Sequence, residues 1–251
     1  MAQPSELESV SQRAASTPKE NTRRSKHQEK RNAPIDDSGD GYVCAEGSSI
    51  ATTPTLNFLS IHQIAQMATP LRLLVCSIGN PAPYTNTFHS AGHNVISALA
   101  SSLAYPGFQK VREYGNGAVS AGADFTLWQS RSLMNVSGTG VAAAWKQFIK
   151  ETRGEDAALV VVHDELELAI GDVKVRDGGA SAKGHNGLKD IAKCLRGQKY
   201  KRIAVGIGRP ESREPNVVAG YVLRKMSGAE KAKIETAATK VEAELRRMKG
   251  I

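Results

Sequence analysis

The sequence predicts an α/β fold, a single domain with a mixed, largely parallel twisted sheet flanked by helices, plus a disordered N-terminal extension. Two observations support this prediction. After residue 70, short β-rich apolar runs alternate with helical patterns, which is typical of strands joined by crossover helices. Before it, the chain is polar and shows no sustained period. The chain has 251 residues, 40% of them hydrophobic, which is enough for a sizeable core.

The domain boundary is predicted near residue 69. Residues 1–68 are rich in Ser, Thr, Asn, Gln and Lys, with few large apolar side chains, so they bury too little surface to offset their ordering entropy. We expect a disordered extension over 1–68, with at most a short helix near Ile61–Met67, and the folded domain over 69–251. A solvated tail without a specific role is the simpler interpretation of the extension.

The elements of the domain follow from the local patterns. Five strands are predicted as short β-rich runs bounded by turn residues: Leu71–Ile78, Phe125–Trp128, Ala158–His163, Val173–Arg176 and Arg202–Ile207. Apolar residues at helical spacing predict core-facing helices over Val95–Leu103, which ends before Pro106, and over Val141–Ile149. The last helix opens at Ser227, whose spacing to Glu230 is that of a capping box.

The net charge of +8 belongs to the predicted domain, since residues 1–50 hold seven Lys/Arg and eight Asp/Glu. A basic domain favours an anionic partner, nucleic acid first, although many basic proteins bind none. The three cysteines are widely separated and form no Cys-x-x-Cys pair, so neither a disulfide framework nor a zinc site is predicted.

The sequence restricts the cellular location only in part. The longest apolar runs are far shorter than the roughly 20 residues of a membrane helix, so no membrane span is expected. Glu6 and Glu8 lie near the start without an apolar segment, which argues against secretion. Arg13, Arg23 and Arg24 among Ser and Thr keep mitochondrial import open, so we expect a cytoplasmic or mitochondrial protein.

Polar side chains gather where the predicted strands end. In open α/β sheets the reacting groups lie beyond the carboxyl ends of the strands. At or after those ends the sequence places five segments: Gly79-Asn80-Pro81, His89-Ser90-Ala91-Gly92-His93, Met134-Asn135-Val136-Ser137-Gly138, His163-Asp164-Glu165-Leu166 and Gly184-His185-Asn186-Gly187. These segments show no Ser elbow and no thiol. They predict a site that activates water rather than one with a covalent nucleophile.

Imidazole, carboxylate and amide groups suit that chemistry. A neutral His accepts a proton from water, a carboxylate on its other ring nitrogen fixes the tautomer, and Asn amides donate to a developing oxyanion. Each residue also has an ordinary alternative. Asn186 could cap a helix that begins at Gly187, and His93 could support a helix start. His163 and Glu165 could point away from the cleft, because neighbours of Asp164 on a strand face the other side.

In the order of these blocks the sequence resembles the bacterial-type peptidyl-tRNA hydrolase family. The resemblance runs from Leu71 to about Met226 and also covers Val205-Gly206-Ile207-Gly208. It implies an esterase without metal or organic cofactor. Such an enzyme hydrolyses the bond between a peptide, or an N-blocked aminoacyl group, and the 3′-terminal ribose of tRNA, and releases free tRNA for translation.

The resemblance implies roles for individual residues. His89 is similar to the general base that activates water, and Asp164 to the carboxylate that orients it. Binding of the peptidyl end and the walls of the cleft are implied at five positions: Asn80, Tyr84, Met134, Asn135 and Asn186. Phe88 departs from the family pattern, in which a basic residue usually precedes the catalytic His.

Recognition of tRNA is expected at a basic surface, because tRNA presents phosphates and a single-stranded end. Lys174 and Arg176 alternate on one face of a strand and resemble the basic pair that contacts the 5′ phosphate. Lys183, within the Gly-rich loop, is a further candidate, although a solvated face explains it equally well. Ala204 stands where an arginine is expected, so Arg202 is the candidate substitute in the phosphate contact.

Two other functions stay open. An RNA-binding relative of the same fold that is no enzyme predicts an exposed apolar patch on the C-terminal helix, whereas Lys231, Lys233 and Glu235 make that helix look solvated. A hydrolase of a small ester or amide predicts an activity insensitive to salt. The expected partner is peptidyl-tRNA, and the expected state is a monomer.

Overall fold

The computed structural model describes residues 71–153 and 155–251. Within these residues the chain forms six strands: β1 Arg72–Ser77, β2 Gly117–Ala121, β3 Phe125–Ser130, β4 Ala157–Glu165, β5 Val173–Asp177 and β6 Lys201–Gly206. Its helices there are α1 Ala91–Ser102, α2 Ser137–Thr152, α3 Asn186–Leu195, α4 Pro215–Leu223 and α5 Gly228–Lys249. The predicted extension over 1–68 and the short helix near Ile61–Met67 lie outside the described residues.

The strands form one mixed sheet in the order β2-β3-β1-β4-β6-β5. The pairs β1–β3, β1–β4 and β4–β6 are parallel, and the edge strands β2 and β5 are antiparallel to their neighbours. The predicted α/β fold with a mixed, largely parallel sheet is therefore confirmed for the described residues. Because β1, β4 and β6 run in the same direction, their carboxyl ends meet at one edge of the sheet, which is where ligands bind in such folds.

The core lies in two layers, one on each face of the sheet. Alternation along β1 sends Leu73 and Val75 toward α1 and α5, and sends Leu74 and Cys76 toward α2 and α3. Burying each large apolar side chain stabilises the fold by roughly 1.5–3 kcal/mol relative to leaving it exposed. Within the described residues no helix is both long and apolar enough to span a bilayer.

Helix α1 lies unusually close to the sheet, and a glycine allows it. An added Cβ on Gly92 would lie 2.8 Å from the carbonyl oxygen of Val162 and 3.0 Å from that of Ile78. Both atoms belong to the backbone, Val162 within β4 and Ile78 just past β1, so neither can move aside. This contact fixes the 3₁₀ turn Phe88–Ser90, which directly precedes α1, over the carboxyl end of β4.

Candidate active site

The predicted site residues meet at the carboxyl edge of the sheet in a cleft of about 770 Å³. Nine of the eleven predicted positions line it: Asn80, Tyr84, His89, Met134, Asn135, Asp164, Lys183, Asn186 and Arg202. The other two, Lys174 and Arg176, lie on the edge strand β5, away from this lining. Helix α4 forms one wall through Val218, Val222 and Leu223.

His89 and Asp164 contact each other at the centre of the cleft. Nδ1 of His89 donates to both carboxylate oxygens of Asp164, at 3.0 Å each. The Asp164 side chain is 4% exposed, whereas the imidazole is 17% exposed. The side-chain hydrogen bonds of His89 to the described residues all use Nδ1, and His89 lines the cleft. The ring therefore presents an unshared lone pair to the cleft.

Charge and hydrogen bonds set the protonation of this pair. Burial alone raises the pKa of Asp164, but the imidazoles of His89 and His185 outweigh it and lower that pKa well below its ordinary value. Burial alone lowers the pKa of His89, but the charge and hydrogen bond of Asp164 bring it above its ordinary value of 6.5. Asp164 is thus an anion at neutral pH, and His89 becomes a stronger base.

A second imidazole, which the sequence reasoning assigned no role, holds the same carboxylate. Nε2 of His185 lies 3.0 Å from Oδ1 of Asp164. Nδ1 of His185 accepts from the backbone N–H of Leu188 at 3.3 Å, as the N-cap of α3. Nε2 therefore carries the proton and donates a hydrogen bond to Oδ1 of Asp164. The alternative in which Asn186 caps a helix from Gly187 is wrong, since the helix begins at Asn186.

His163 also lies at the cleft instead of pointing away from it. Its Nδ1–H donates to the carbonyl oxygen of Asp164 at 2.7 Å, and its ring meets that of His185 edge-on at 5.3 Å. Burial, assisted by the neighbouring His185, lowers the pKa of His163 to about 3. His163 is therefore neutral, and its Nε2 is a buried acceptor without a partner in the described part of the chain.

Asn80 links the end of β1 to the segment that carries Met134. Its Oδ1 accepts from the backbone N–H of Met134 at 2.8 Å, and its own N–H donates to Ser90 Oγ at 3.0 Å. Oδ1 is thereby committed to the fold, which leaves the Nδ2 donors for a substrate. Met134 is buried beneath the cleft, where an added Cβ on Gly187 would lie 2.6 Å from its sulfur.

The remaining polar groups stand at the mouth of the cleft. Tyr84 is 40% exposed, and Asn135 and Asn186 are exposed as well. The Oδ1 of Asn186 accepts a long hydrogen bond from Lys189 at 3.4 Å. These side chains are free to meet a ligand that enters from solvent.

The predicted phosphate contacts separate into two groups. Lys183 and Lys174 are exposed and Arg176 is half-buried. Arg202 is only 2% exposed, and its Nη2 donates to the carbonyl oxygens of Ala180 at 2.9 Å and Ser181 at 2.8 Å. The Gly-rich loop folds over this guanidinium. The prediction of Arg202 as a surface phosphate contact is therefore corrected: the residue supports the loop from beneath.

Three ligand-type side chains come close together here. One donor atom each from His89, Asp164 and His185 lies within 4.8 Å of the others. Those atoms already pair with one another, because both imidazoles donate N–H groups to the carboxylate. A metal ion bound there would have to replace both protons, so the arrangement suits a hydrogen-bonded base better than a metal centre.

Comparison with known proteins identifies the family of this chain. Residues 74–249 match the family model described as peptidyl-tRNA hydrolase. A peptidyl-tRNA hydrolase of Leptothrix cholodnii is 41% identical over 169 residues, which cover 66% of this chain and 75% of that one. A probable peptidyl-tRNA hydrolase of Schizosaccharomyces pombe is 36% identical over 165 residues, covering 65% and 76%.

A solved structure shows the same likeness. The crystal structure of peptidyl-tRNA hydrolase from Acinetobacter baumannii superimposes with a TM-score of 0.57 and is 27% identical, covering 70% of this chain and 87% of that one. A family match that spans well over half of the chain, together with relatives above 30% identity, decides the assignment. The chain belongs to the peptidyl-tRNA hydrolase family.

Proposed function

We propose that this chain hydrolyses the ester bond between a peptide and the 3′-terminal ribose of tRNA by activating water with His89. Its family membership makes it a carboxylic ester hydrolase that acts on peptidyl-tRNA. The observation that supports the mechanism is the hydrogen bonding of the two ring nitrogens of His89. Nδ1 of His89 is bound to the buried anion of Asp164, while Nε2 faces the cleft without a partner among the described residues.

The steps of the reaction follow from these groups. Nε2 of His89 takes a proton from water as the water oxygen bonds to the ester carbonyl carbon. The imidazolium that forms is stabilised by Asp164. When the bond from that carbon to the ribose oxygen breaks, the imidazolium returns the proton to the ribose oxygen. The products are a free peptide acid and a tRNA with an intact 3′ end.

Amide groups complete the site. We assign the Nδ2 of Asn80 and the amides of Asn135 and Asn186 to the peptidyl carbonyl groups and the developing oxyanion. Donors placed in advance at such an oxyanion typically contribute about 10²–10³ to kcat each. Met134 and Tyr84 form the apolar walls beside the acyl group. Lys183, Lys174 and Arg176 are the proposed contacts to tRNA phosphates.

The test is hydrolysis of N-blocked aminoacyl-tRNA by the purified chain and by His89→Ala. We expect the variant to lose at least about 10²-fold in kcat, the lower end for general-base catalysis. His27→Ala, which removes an imidazole from the N-terminal extension, is the matched control and should keep the wild-type rate. Release of tRNA at the wild-type rate by His89→Ala would contradict the mechanism.

Salt dependence separates this function from hydrolysis of a small ester. A substrate held through phosphates loses affinity steeply as salt rises, so KM for aminoacyl-tRNA should increase between 50 and 200 mM salt, which are about the concentrations at which such losses are large. A KM that does not change would favour the small-ester alternative. The non-enzymatic RNA-binding alternative gains no support from α5, whose outer surface carries ion pairs such as Lys231–Glu235 and Arg247–Glu244.

We further propose that the enzyme is a monomer that needs no metal. Peptidyl-tRNA arises where ribosomes work, which supports a cytoplasmic or mitochondrial location. A chelator should leave the rate unchanged, and sedimentation should give the mass of one chain. Loss of activity on chelation that a divalent cation restores would contradict the metal-free mechanism.

A further inference from the structure

Phe88, the residue directly before His89, is completely buried in a stack of three side chains. Its ring centroid lies 5.0 Å from that of Tyr221, with 16° between the planes. The guanidinium carbon of Arg224 lies 4.4 Å from the Phe88 centroid and 5.0 Å from the Tyr221 centroid. We call Phe88, Tyr221 and Arg224 the aromatic stack. It joins the turn that carries His89 to helix α4 and the segment after it.

Both ends of the aromatic stack are anchored. Two nitrogens of Arg224 donate to the two carboxylate oxygens of Glu230, at 3.0 and 2.6 Å. Glu230 also accepts from the backbone N–H of Ser227 at 2.8 Å, in the capping box of α5. At the other end, the hydroxyl of Tyr221 donates to the carbonyl oxygen of Ile207 at 2.6 Å, just past β6. The planes of the stacked groups are therefore fixed by the sheet and by α5.

The backbone on either side of Phe88 is tied to the same segment. Thr87 forms an antiparallel bridge with Lys225, and the N–H of Met226 donates to the carbonyl oxygen of Asn86 at 2.9 Å. By contrast, residues 82–86 ahead of this turn are exposed. The segment that follows α4 thus contacts the backbone ahead of His89, while Asp164 accepts a hydrogen bond from its imidazole.

We infer that Phe88, Tyr221 and Arg224 are positioning residues for His89, which hold its imidazole at hydrogen-bond distance from Asp164 and couple that position to the α4 wall of the cleft. The inference rests on the proposed role of His89 as the base. Phe88 and His89 leave one short turn on adjacent residues, so a shift of the Phe88 ring moves the backbone that carries the imidazole. A displacement of about 1 Å at a reacting group can cost about 10²-fold in rate.

Three variants test the aromatic stack. Arg224→Gln removes the stacked cation and the paired contact with Glu230, Phe88→Leu removes the ring but keeps an apolar side chain, and Glu230→Gln only loosens Arg224. We expect kcat on N-blocked aminoacyl-tRNA to fall about tenfold in the first two and less in the third, with KM within about twofold. Thermal unfolding identifies any variant that is unfolded at the assay temperature, and Glu230→Gln, the mildest change, then carries the test.

The matched control is Arg247→Gln. Within α5, two nitrogens of Arg247 donate to one carboxylate oxygen of Glu244, at 2.9 and 2.6 Å, but Arg247 touches neither the turn nor the cleft. It should keep the wild-type kcat. Arg224→Lys keeps the charge without the planar, two-bond geometry, so it should not restore the rate.

A pH profile separates positioning from general loss of stability. Among the described residues, the charged or titratable side chains in contact with His89 or Phe88 include Asp164, His185, Tyr221 and Arg224, and Arg224 is paired with Glu230. Asp164 raises the pKa of His89. If the variants of the aromatic stack move the imidazole away from Asp164, the midpoint of the acid limb of kcat/KM shifts to lower pH. A variant that is only less stable keeps the wild-type midpoint of that limb.

The outcomes are distinct. Wild-type kcat together with an unchanged midpoint of the acid limb, in every stack variant that folds, would overturn the inference. A rise in KM at unchanged kcat would also overturn it, because that result would assign the stack to substrate binding. Either result leaves the role of His89 intact, provided that the wild type is active and His89→Ala is not. An inactive wild type would instead refute the proposed function.

Discussion

Changing Asp164 to Asn removes the charge that His89 and His185 share, while the size of the side chain stays the same. In the wild type both imidazoles donate to the carboxylate at 3.0 Å. An amide offers one acceptor oxygen and one NH₂ group, and both carboxylate positions lie 3.0 Å from Nδ1 of His89, so this ring faces a donor in either orientation of the amide. The proton of His89 then moves to Nε2, and the nitrogen that should accept the proton from water is occupied.

The magnitude follows from the distance. A unit charge 3.0 Å from the imidazolium contributes roughly 5 kcal/mol at an effective dielectric constant near 20. Part of this is offset, because a neutral amide is less costly to bury than a carboxylate. With about 1.4 kcal/mol for each factor of ten in rate, we expect kcat to fall by about 10³ to 10⁴. The same change in a Ser-His-Asp triad lowers kcat by about 10⁴.

The assay is the saturated rate of tRNA release from N-blocked aminoacyl-tRNA. Asp172→Asn is the control, because Asp172 is an exposed carboxylate that pairs with Lys240 at 3.1 Å outside the cleft. It should keep the wild-type rate. A loss smaller than about tenfold in folded Asp164→Asn is far below the value expected for this contact. That result would refute the argument that the anion stabilises an imidazolium.

Two further predictions concern stability. The pKa of His163 is about 3 in the folded protein, below its ordinary value of 6.5, so the folded state binds fewer protons there, and this group alone lowers stability by about 1 kcal/mol per pH unit as pH drops from 6.5 toward 3. Burial lowers the pKa of His93 to about 4, which acts in the same direction. Urea unfolding at pH 6 and at pH 5, which lie in about the upper half of this pH range, measures how the free energy of unfolding changes with pH. Equal urea midpoints at the two pH values would contradict the prediction. Gly92→Ala should destabilise the fold by about 1–3 kcal/mol and lower kcat, because its Cβ meets two backbone carbonyl groups. Gly220→Ala in α4, with nothing within 4 Å of the added Cβ, should be neutral or stabilising, and equal effects of the two alanines would argue against the close approach of α1.

Most strands were predictable because their apolar runs are long enough to mark a buried sheet. Strand β2 was missed, since Val119 is the one residue of strong β-propensity in Gly117–Ala121 and the other four are Gly, Ala or Ser. It is a strand because it pairs with β3, and Gly117 leaves the space that the ring of Trp128 fills. Helix α4 was also missed, although Pro215 at its first turn is a typical start signal. Its nine residues are too few for a helical repeat of apolar residues to be recognised from the sequence alone.

The candidate site was predictable to the level of residues but not of contacts. Spacing along the strands and the family resemblance pointed to His89 and Asp164, which lie 75 residues apart and contact each other in the fold. The contact from His185 to the same carboxylate depends on how the Gly-rich loop returns to the sheet, which no local pattern encodes. Its position beside Asn186 at a helix start was the one available signal. The burial of Arg202 depends on the same loop.

The central claim is that His89, oriented by Asp164, is the base. Nitrogen NMR of histidine-labelled protein, with His89 assigned through its loss in His89→Ala, measures the pKa and tautomer of this ring, and the acid limb of kcat/KM measures the pKa of the group that must be deprotonated. We predict one shared midpoint above the ordinary 6.5, with the proton on Nδ1 of the neutral ring. A kinetic midpoint that differs from the titration of His89, or a neutral ring protonated on Nε2, would contradict the account.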